Sequence, residues 1–317
     1  MSLTVLSPGS LSSVQDLGRM GHQKSGVSPS GAADVRALKD LNLLLGNDEG
    51  EAAIEMTLAG MTVRFDEDCV FAVTGAFDTP KLNGADVPFC AAVAAKAGDT
   101  VSFSFAQDGA RTYFGVAGGL DIPLSMGSRS TGMKFQVGGF QGRKLQAGDV
   151  IGFRKKITTL PDMEKRKLDR EPISQDVTLR VIPGPQDDRF TEQAKQLFFS
   201  SEYLVSANAD RMGIRLEGPE LELEKGSDII SDATANGAIQ IVNEGLPIIL
   251  LQDRQTTGGY AKIGCVISTD LPKAGQLLPG AKVRFSPVTV KEAQKIYRSQ
   301  EKAYRKLYRK INGRGTE

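Results

Sequence analysis

The densest run of chemically capable side chains is Gln252-Asp253-Arg254-Gln255-Thr256-Thr257-Gly258-Gly259-Tyr260-Ala261-Lys262-Ile263-Gly264. It sets a guanidinium, side-chain amides, two hydroxyls, a phenol and an ammonium beside glycines that let a ligand approach the backbone. Such a set suits an anion, a carboxylate or a small amide such as urea or a lactam. The same residues also admit an internal arrangement, in which Asp253 and Arg254 pair and the glycines make a tight turn. It is not a Walker loop, because the Gly-x4-Gly-Lys-Ser/Thr order is absent and Ile263 follows Lys262. Four more polar clusters lie in Gly-rich connections, where a rigid scaffold displays functional groups. They are Gln15-Asp16-Leu17-Gly18-Arg19, Ser28-Pro29-Ser30-Gly31-Ala32-Ala33-Asp34, Gly127-Ser128-Arg129-Ser130-Thr131 and Asp210-Arg211-Met212-Gly213.

What the sequence lacks narrows the chemistry. His22 is the single histidine, and the three cysteines, Cys69, Cys90 and Cys265, are too far apart for zinc-ligand spacing. A Ser-His-Asp triad is open only through His22, which sits in a Gly-rich loop and reads as a solvated or turn-stabilising side chain. Charges nearly cancel, with 39 Lys and Arg against 38 Asp and Glu, so nothing global points to nucleic acid or an anionic membrane. No apolar run approaches the ~20 residues that span a bilayer. The N-terminus enters Leu3-Thr4-Val5-Leu6 without the regions of a signal peptide. The cysteines read as buried thiols in a reducing compartment, and the cytosol is the expected location.

The elements that must position these groups are mostly strands. Short alternating or β-branched stretches recur, such as Met61-Thr62-Val63-Arg64-Phe65 and Thr178-Leu179-Arg180-Val181-Ile182, punctuated by Gly, Pro, Asn and Asp. Three stretches read as helices. Asp34 can N-cap one that carries Leu38, Leu41 and Leu45 on one face and stops at Gly46-Asn47. A second runs from Thr191 to Phe199, and a third begins near Val290 and takes up most of the C-terminal tail, with Tyr304, Leu307 and Tyr308 on its apolar face. The basic remainder of that helix reads as a solvated face.

Four echoes recur in order along the two halves. Val5-Leu6-Ser7-Pro8-Gly9 matches Val181-Ile182-Pro183-Gly184, and Ile54 to Gly60 matches Ile214 to Gly218. Gly118-Gly119 matches Gly258-Gly259, and Ala147 to Phe153 matches Pro279 to Phe285. The expectation is a mainly β chain of two tandem barrels, residues 1–160 and 177–288, followed by a basic amphipathic helix over 289–317. Leu160 to Asp176, charged and flanked by prolines, reads as an exposed linker.

The strings VQDLGR, SGAAD, GSRST, GGFQGRKLQAGD, ADRMGIRLEGP and LLQDRQTTGGYAKIGCVISTDLP run in order from the start of the chain to about residue 285. In these the chain resembles the C subunit of bacterial 5-oxoprolinase. That family also takes in the carboxyltransferase part of urea carboxylase and the antagonist of a sporulation-kinase inhibitor. The resemblance implies two cyclophilin-like β-barrels, a cyclophilin-like B subunit as partner and a separate A subunit. It implies an ATP-dependent enzyme complex that opens the 5-oxoproline lactam to glutamate, with this subunit inactive alone. Under it, Arg254 and Lys262 would hold phosphate or carboxylate, Gln255, Thr256 and Thr257 would bind the amide, and Tyr260 would donate a proton or hydrogen bond. Asp16, Asp34 and Asp210 are the available bases or metal-side ligands, and Arg19, Ser128 and Arg129 carry over as binding residues. Three alternatives stay open. One is a biotin-dependent carboxyltransferase acting on urea or a similar amide. No Met-Lys-Met motif is present, Gly132-Met133-Lys134-Phe135 being the nearest string, so biotin would come in trans. A second is a non-catalytic antagonist that binds a kinase-inhibitor-like B subunit, and a third is a structural cyclophilin-like protein with an inert pocket.

Overall fold

The computed structural model describes residues 1–224 and 226–313. The chain divides into two compact units, which exchange short pieces of sequence. The first comprises Met1–Met20, Pro29–Ile173 and the stretch from Tyr304 onward; the second comprises Gly21–Ser28 and Ser174–Ala303. Among the described residues the structure is mainly β, with four α-helices: α1 (Val35–Leu45), α2 (Glu192–Ser200), α3 (Leu271–Gly275) and α4 (Val290–Asn312). The sequence reading places the start of three of them within a residue and omits α3.

The first unit is built from two sheets. One runs in the order Val150–Gly152, Ser2–Ser7, Thr62–Phe65, Thr100–Ser102, Lys81–Leu82, Ala85–Asp86; the other runs Leu11–Gln15, Ala53–Thr57, Arg111–Val116, Cys69–Gly75, Val93–Ala95. Successive strand side chains point to opposite faces, so a strand covered on both sides shows an unbroken apolar run. Cys69 to Val73 is such a strand. Phe71 and Val73 enter a core with Leu3, Val63, Phe65 and Phe114, while Val70 and Ala72 meet Leu38, Leu41, Leu44 and Leu45 of α1. Burying each leucine is worth roughly 1.5–3 kcal/mol. Asp34 caps α1 by accepting from Ala37 N at 2.9 Å, and Gly46 ends it in the left-handed region, φ 64°. α4 docks on α1 through two side chains: Asn312 donates to the Leu43 carbonyl, one of those left over at the helix end, at 3.0 Å, and Tyr304 donates to the mid-helix Lys39 carbonyl at 3.0 Å. Arg314 to Glu317, the end of the expected C-terminal helix segment, lie outside the described residues.

The stretch expected to be an exposed linker is instead docked on the first unit. Leu160, Met163 and Leu168 pack on the α1 cluster, and Arg166, only 4% exposed, donates to the Leu44 carbonyl at 3.0 Å. Three scattered apolar side chains and one arginine aimed at orphan helix carbonyls are enough to hold it, although no hydrophobic period marks it. The break between units falls within that stretch, near its end, between Ile173 and Ser174.

The second unit is a closed barrel, in the order Asp176–Pro183, Lys262–Val266, Ala238–Ile241, Pro247–Leu250, Gly213–Glu217, Tyr203–Ala209, Lys282–Pro287, with the last strand parallel to the first. Its interior is filled by Leu179, Val181, Ile214, Leu216, Ile239, Ile241, Ile249 and Val283, with Phe198 of α2 stacked on Phe285 at 4.4 Å between ring centroids. A separate two-stranded ribbon pairs Asp228–Ala233 with Thr257–Tyr260. The echoed segments thus behave differently in the two units. The strands Ser2–Ser7 and Val150–Gly152 pair antiparallel, whereas Asp176–Pro183 and Lys282–Pro287 pair parallel. Gly118-Gly119 follows a core strand, whereas Gly258-Gly259 lies in the ribbon.

Candidate functional site

Three adjacent barrel strands carry the site on their outer face. In Ile239-Gln240-Ile241, Ile214-Arg215-Leu216 and Ile248-Ile249 the core takes Ile239, Ile241, Ile214, Leu216 and Ile249. Alternation then sends Gln240, Arg215 and Ile248 to the opposite face. The register aligns them, with Gln240 opposite Ile248 and Ile248 opposite Arg215. Two inter-strand spacings put Gln240 and Arg215 about 10 Å apart across the sheet. A cavity of about 890 Å³ lies over this row, lined also by Asp210, Glu244, Gln255 and Tyr260.

Gln240 is the buried polar group of this cavity, at 2% exposure, and its Nε2 has no hydrogen-bond partner in the protein among the described residues. Its Oε1 accepts from Gln255 Nε2 at 3.3 Å. Gln255 is itself fixed by Thr234, whose hydroxyl donates to the Gln255 carbonyl and whose backbone N–H donates to the Thr256 carbonyl at 3.1 Å. A side chain at Gly258 would run into the Gln240 amide, so glycine there leaves the amide its room. The arrangement offers a fixed N–H donor, a phenol, one guanidinium and two carboxylates to a ligand held on the sheet.

The residues expected from sequence separate into two groups. Asp210, Gln255 and Tyr260 come together in the cavity. Asp210 also closes its own turn, accepting from Met212 N at 2.7 Å and Gly213 N at 3.1 Å. The others have local duties. Arg254 is 3% exposed, and its guanidinium donates to the carbonyls of Thr234 and Leu251, each at 3.2 Å, while its own carbonyl accepts from Ser28 Oγ at 2.5 Å. Burial pushes the Arg254 guanidinium down to about 10, with nearby Cys265 acting in the opposite direction. Asp253 does not pair with Arg254; it pairs with Arg211 at 2.8 Å, because the intervening turn brings Asp253 alongside the start of a strand 42 residues earlier. Lys262 is buried and forms a 3.3 Å ion pair with Asp232 of the ribbon. The Thr256 carbonyl is in the ladder to Thr234, and Thr257 begins the ribbon strand with its side chain exposed.

In the first unit, Asp16 sits at the centre of a closed network. It accepts from Ser130 Oγ at 2.5 Å, Ser128 Oγ at 2.7 Å, Gly18 N at 2.8 Å and Arg129 N at 2.6 Å. Arg129 Nε donates to the Ile122 carbonyl at 2.8 Å, and Arg19 donates to the Ser125 and Ser130 carbonyls at 3.0 and 2.8 Å. Asp34 is the α1 cap. These residues hold loops together and do not line the cavity.

Arg215, Gln240 and Glu244 escaped the sequence reading. The signal available for the first two was a polar residue between two core-facing aliphatics, which reads as an ordinary solvated position. The thiols are structural too: burial pushes Cys69 and Cys90 up to about 12. Among the described residues no group of His, Cys, Asp and Glu is placed to hold a metal ion, and no helix is long and apolar enough to cross a membrane.

The second unit is thus a closed barrel with a cavity on its outer face, one lining side chain of which is a buried amide. The model of the carboxyltransferase domain, subdomain A and B, matches residues 25–287, and the chain belongs to that family. It is 34% identical over 308 residues to the C subunit of 5-oxoprolinase from Escherichia coli strain K12, covering 96% of this chain and 97% of that one. The corresponding C subunit of Haemophilus influenzae 5-oxoprolinase is 36% identical over 299 residues, with coverages of 94% and 95%. The urea amidolyase of Saccharomyces cerevisiae is 31% identical over 332 residues, which take in 96% of this chain and 18% of the yeast protein. Among solved structures, the Kluyveromyces lactis urea amidolyase aligns with a TM-score of 0.89 at 30% identity, over 96% of this chain and 20% of that chain. The chain therefore spans nearly the whole of the bacterial proteins and about a fifth of the amidolyases.

Proposed function

We propose that this chain is the C subunit of an ATP-dependent 5-oxoprolinase that opens the 5-oxoproline lactam to glutamate in the cytosol, together with A and B subunits. The observation that carries this reading is the end-to-end similarity to the two bacterial C subunits. The cavity is consistent with it. Arg215 offers a guanidinium for the ligand's carboxylate, and Tyr260 offers a donor to the oxygen that gains charge when the lactam carbonyl is attacked.

The cavity does not suit a nucleotide. Its charged lining is one arginine against Asp210 and Glu244, and carboxylates repel a triphosphate. ATP handling is therefore assigned to the partner subunits. The structural likeness to the urea amidolyase over nearly all of this chain supports a second reading, transfer of a carboxyl group from biotin supplied in trans to an amide in the same cavity.

Reconstitution from separate subunits tests the proposal. 5-Oxoproline-dependent ADP release is expected only when all three subunits are combined. Turnover by this chain alone, or none by the full set, would overturn it. Biotin-dependent carboxylation of urea with a carrier protein added would establish the second reading instead. Tight binding to the B subunit without any turnover would point to the antagonist.

A further inference from the structure

A buried side-chain amide whose NH2 group finds no acceptor is costly to keep, because the group has lost its water and gained nothing in return. Gln240 is in that state, on a sheet face, inside a cavity large enough for a small ligand. Its oxygen is already engaged by Gln255, its neighbour across the sheet is the apolar Ile248, and Gly258 leaves its amide room. Its remaining hydrogen-bonding capacity is a donor, and the matching group on a ligand is a carbonyl oxygen. Glu244 and Asp210 on the cavity wall are acceptors, and the matching group is an N–H. A ligand that presents both in one plane is a secondary amide or a ureido ring.

We propose that Gln240 is the specificity-determining residue of this cavity: its Nε2 donates to the carbonyl of a planar CO–NH ligand, with Gln255 holding its oxygen in place. The site then selects the amide function first and the ligand's charge second. This rests on the reading that the cavity takes the small amide, and it adds the residue that recognises it. The shared chemistry fits both a lactam and a cyclic urea, which differ in a second ring N–H.

The test is direct binding to the full-length chain, followed by ligand-observed NMR, so it does not depend on turnover. The probes are 5-oxoproline, 2-pyrrolidone (the lactam without the carboxylate), proline (the carboxylate without the lactam) and 2-imidazolidinone (the cyclic urea). Wild-type protein is expected to bind both lactams better than proline. A relatively strong 2-imidazolidinone signal would mark the ureido source, and a weak one the lactam. Gln240→Met, of similar volume but without the donor, should weaken lactam or cyclic-urea binding roughly 10-fold and leave proline unchanged. Gln255→Met keeps Gln240 but frees its oxygen. It should cost a smaller factor on the same probes, and it serves if Gln240→Met does not fold. Equal binding of proline and lactams by wild-type protein, or unchanged lactam binding in both folded variants, would overturn the assignment. An inactive reconstituted complex whose C subunit still loses amide binding on Gln240→Met would refute the 5-oxoprolinase reading and keep Gln240.

Discussion

Asp16 in the first unit and Gln240 in the second are both buried polar side chains, yet they end in opposite conditions. Asp16 accepts four hydrogen bonds, three at Oδ1 and one at Oδ2, from two hydroxyls and two backbone N–H groups, so both of its oxygens are engaged. Gln240 has one contact to its oxygen and an unmatched, buried donor on a side chain that lines a cavity. Buried polar groups are ordinarily paired, so the unpaired one is the informative one. Density of polar residues in the sequence drew attention to Asp16 and its neighbours and passed over Gln240. What separates scaffold from site is the balance of donors and acceptors after folding.

Asp16→Ala puts that division between scaffold and site under the greatest strain. It leaves two hydroxyls and two backbone N–H groups without their acceptor in a buried loop junction. The expected loss is about 4 kcal/mol of stability, read as a lower chemical-denaturation midpoint. Binding of lactam probes per folded molecule should hold. If binding falls while stability is kept, the first-unit cluster belongs to the site after all.

Asp270 provides a smaller and pH-dependent effect. Burial alone would raise its carboxyl, but hydrogen bonds from the Arg180 side chain and backbone, with the charge of Lys273, hold it below the usual carboxylate range. A depressed carboxyl adds stability that is fully present above its unfolded value near 3.8 and is lost as pH falls through its folded value. Asp270→Asn should therefore cost about 2 kcal/mol at neutral pH. The gap to wild type should narrow as pH is lowered from about 5 toward 3, which thermal melts across that range would reveal. A constant gap would mean that the carboxylate's charge contributes nothing.

Within the second unit, Arg254→Lys asks whether a buried cation beside the cavity is scaffold in the same sense as Asp16. A lysine keeps the charge but cannot bridge the Thr234 and Leu251 carbonyls with one planar fork. Stability should fall by about 1–2 kcal/mol, with 5-oxoproline binding per folded molecule unchanged. A binding loss of tenfold or more with an unchanged melting temperature would restore Arg254 to the site. The smallest effect is expected at the α1 cap, where Asp34→Ala should cost about 1 kcal/mol and alter no ligand affinity. Calorimetry on the isolated chain is sufficient to see it.

Much of the local structure was legible before folding was considered. Asp34, the leucine spacing and Gly46 mark α1 at both ends, Thr191 marks α2, and the mainly β character follows from the recurring strand patterns. The docked strap over Leu160–Asp176 was not legible. Its anchors are single residues whose partners lie elsewhere, such as Arg166 on a helix carbonyl 122 residues away. In the candidate site the outcome was mixed. Asp210, Gln255 and Tyr260 were picked out by type and setting and do line the cavity, whereas Arg254 is taken up by the Leu251 and Thr234 carbonyls and Lys262 stands in an ion pair with Asp232, its buried Nζ making no hydrogen bond among the described residues.

Family, strand-rich character, helix ends and the pool of groups that could do chemistry were all written in residue types and in neighbours a few positions away. Which of those groups are used up, and which is left over, was settled by contacts between distant parts of the chain. The row Gln240–Ile248–Arg215 exists because three strands align in register, and the Gln240 donor is open because Gln255, Thr234 and Gly258 arrive around it from other turns of the chain. A hydrogen bond is satisfied or left open by whatever folding brings within about 3 Å, and no local rule of spacing carries that information.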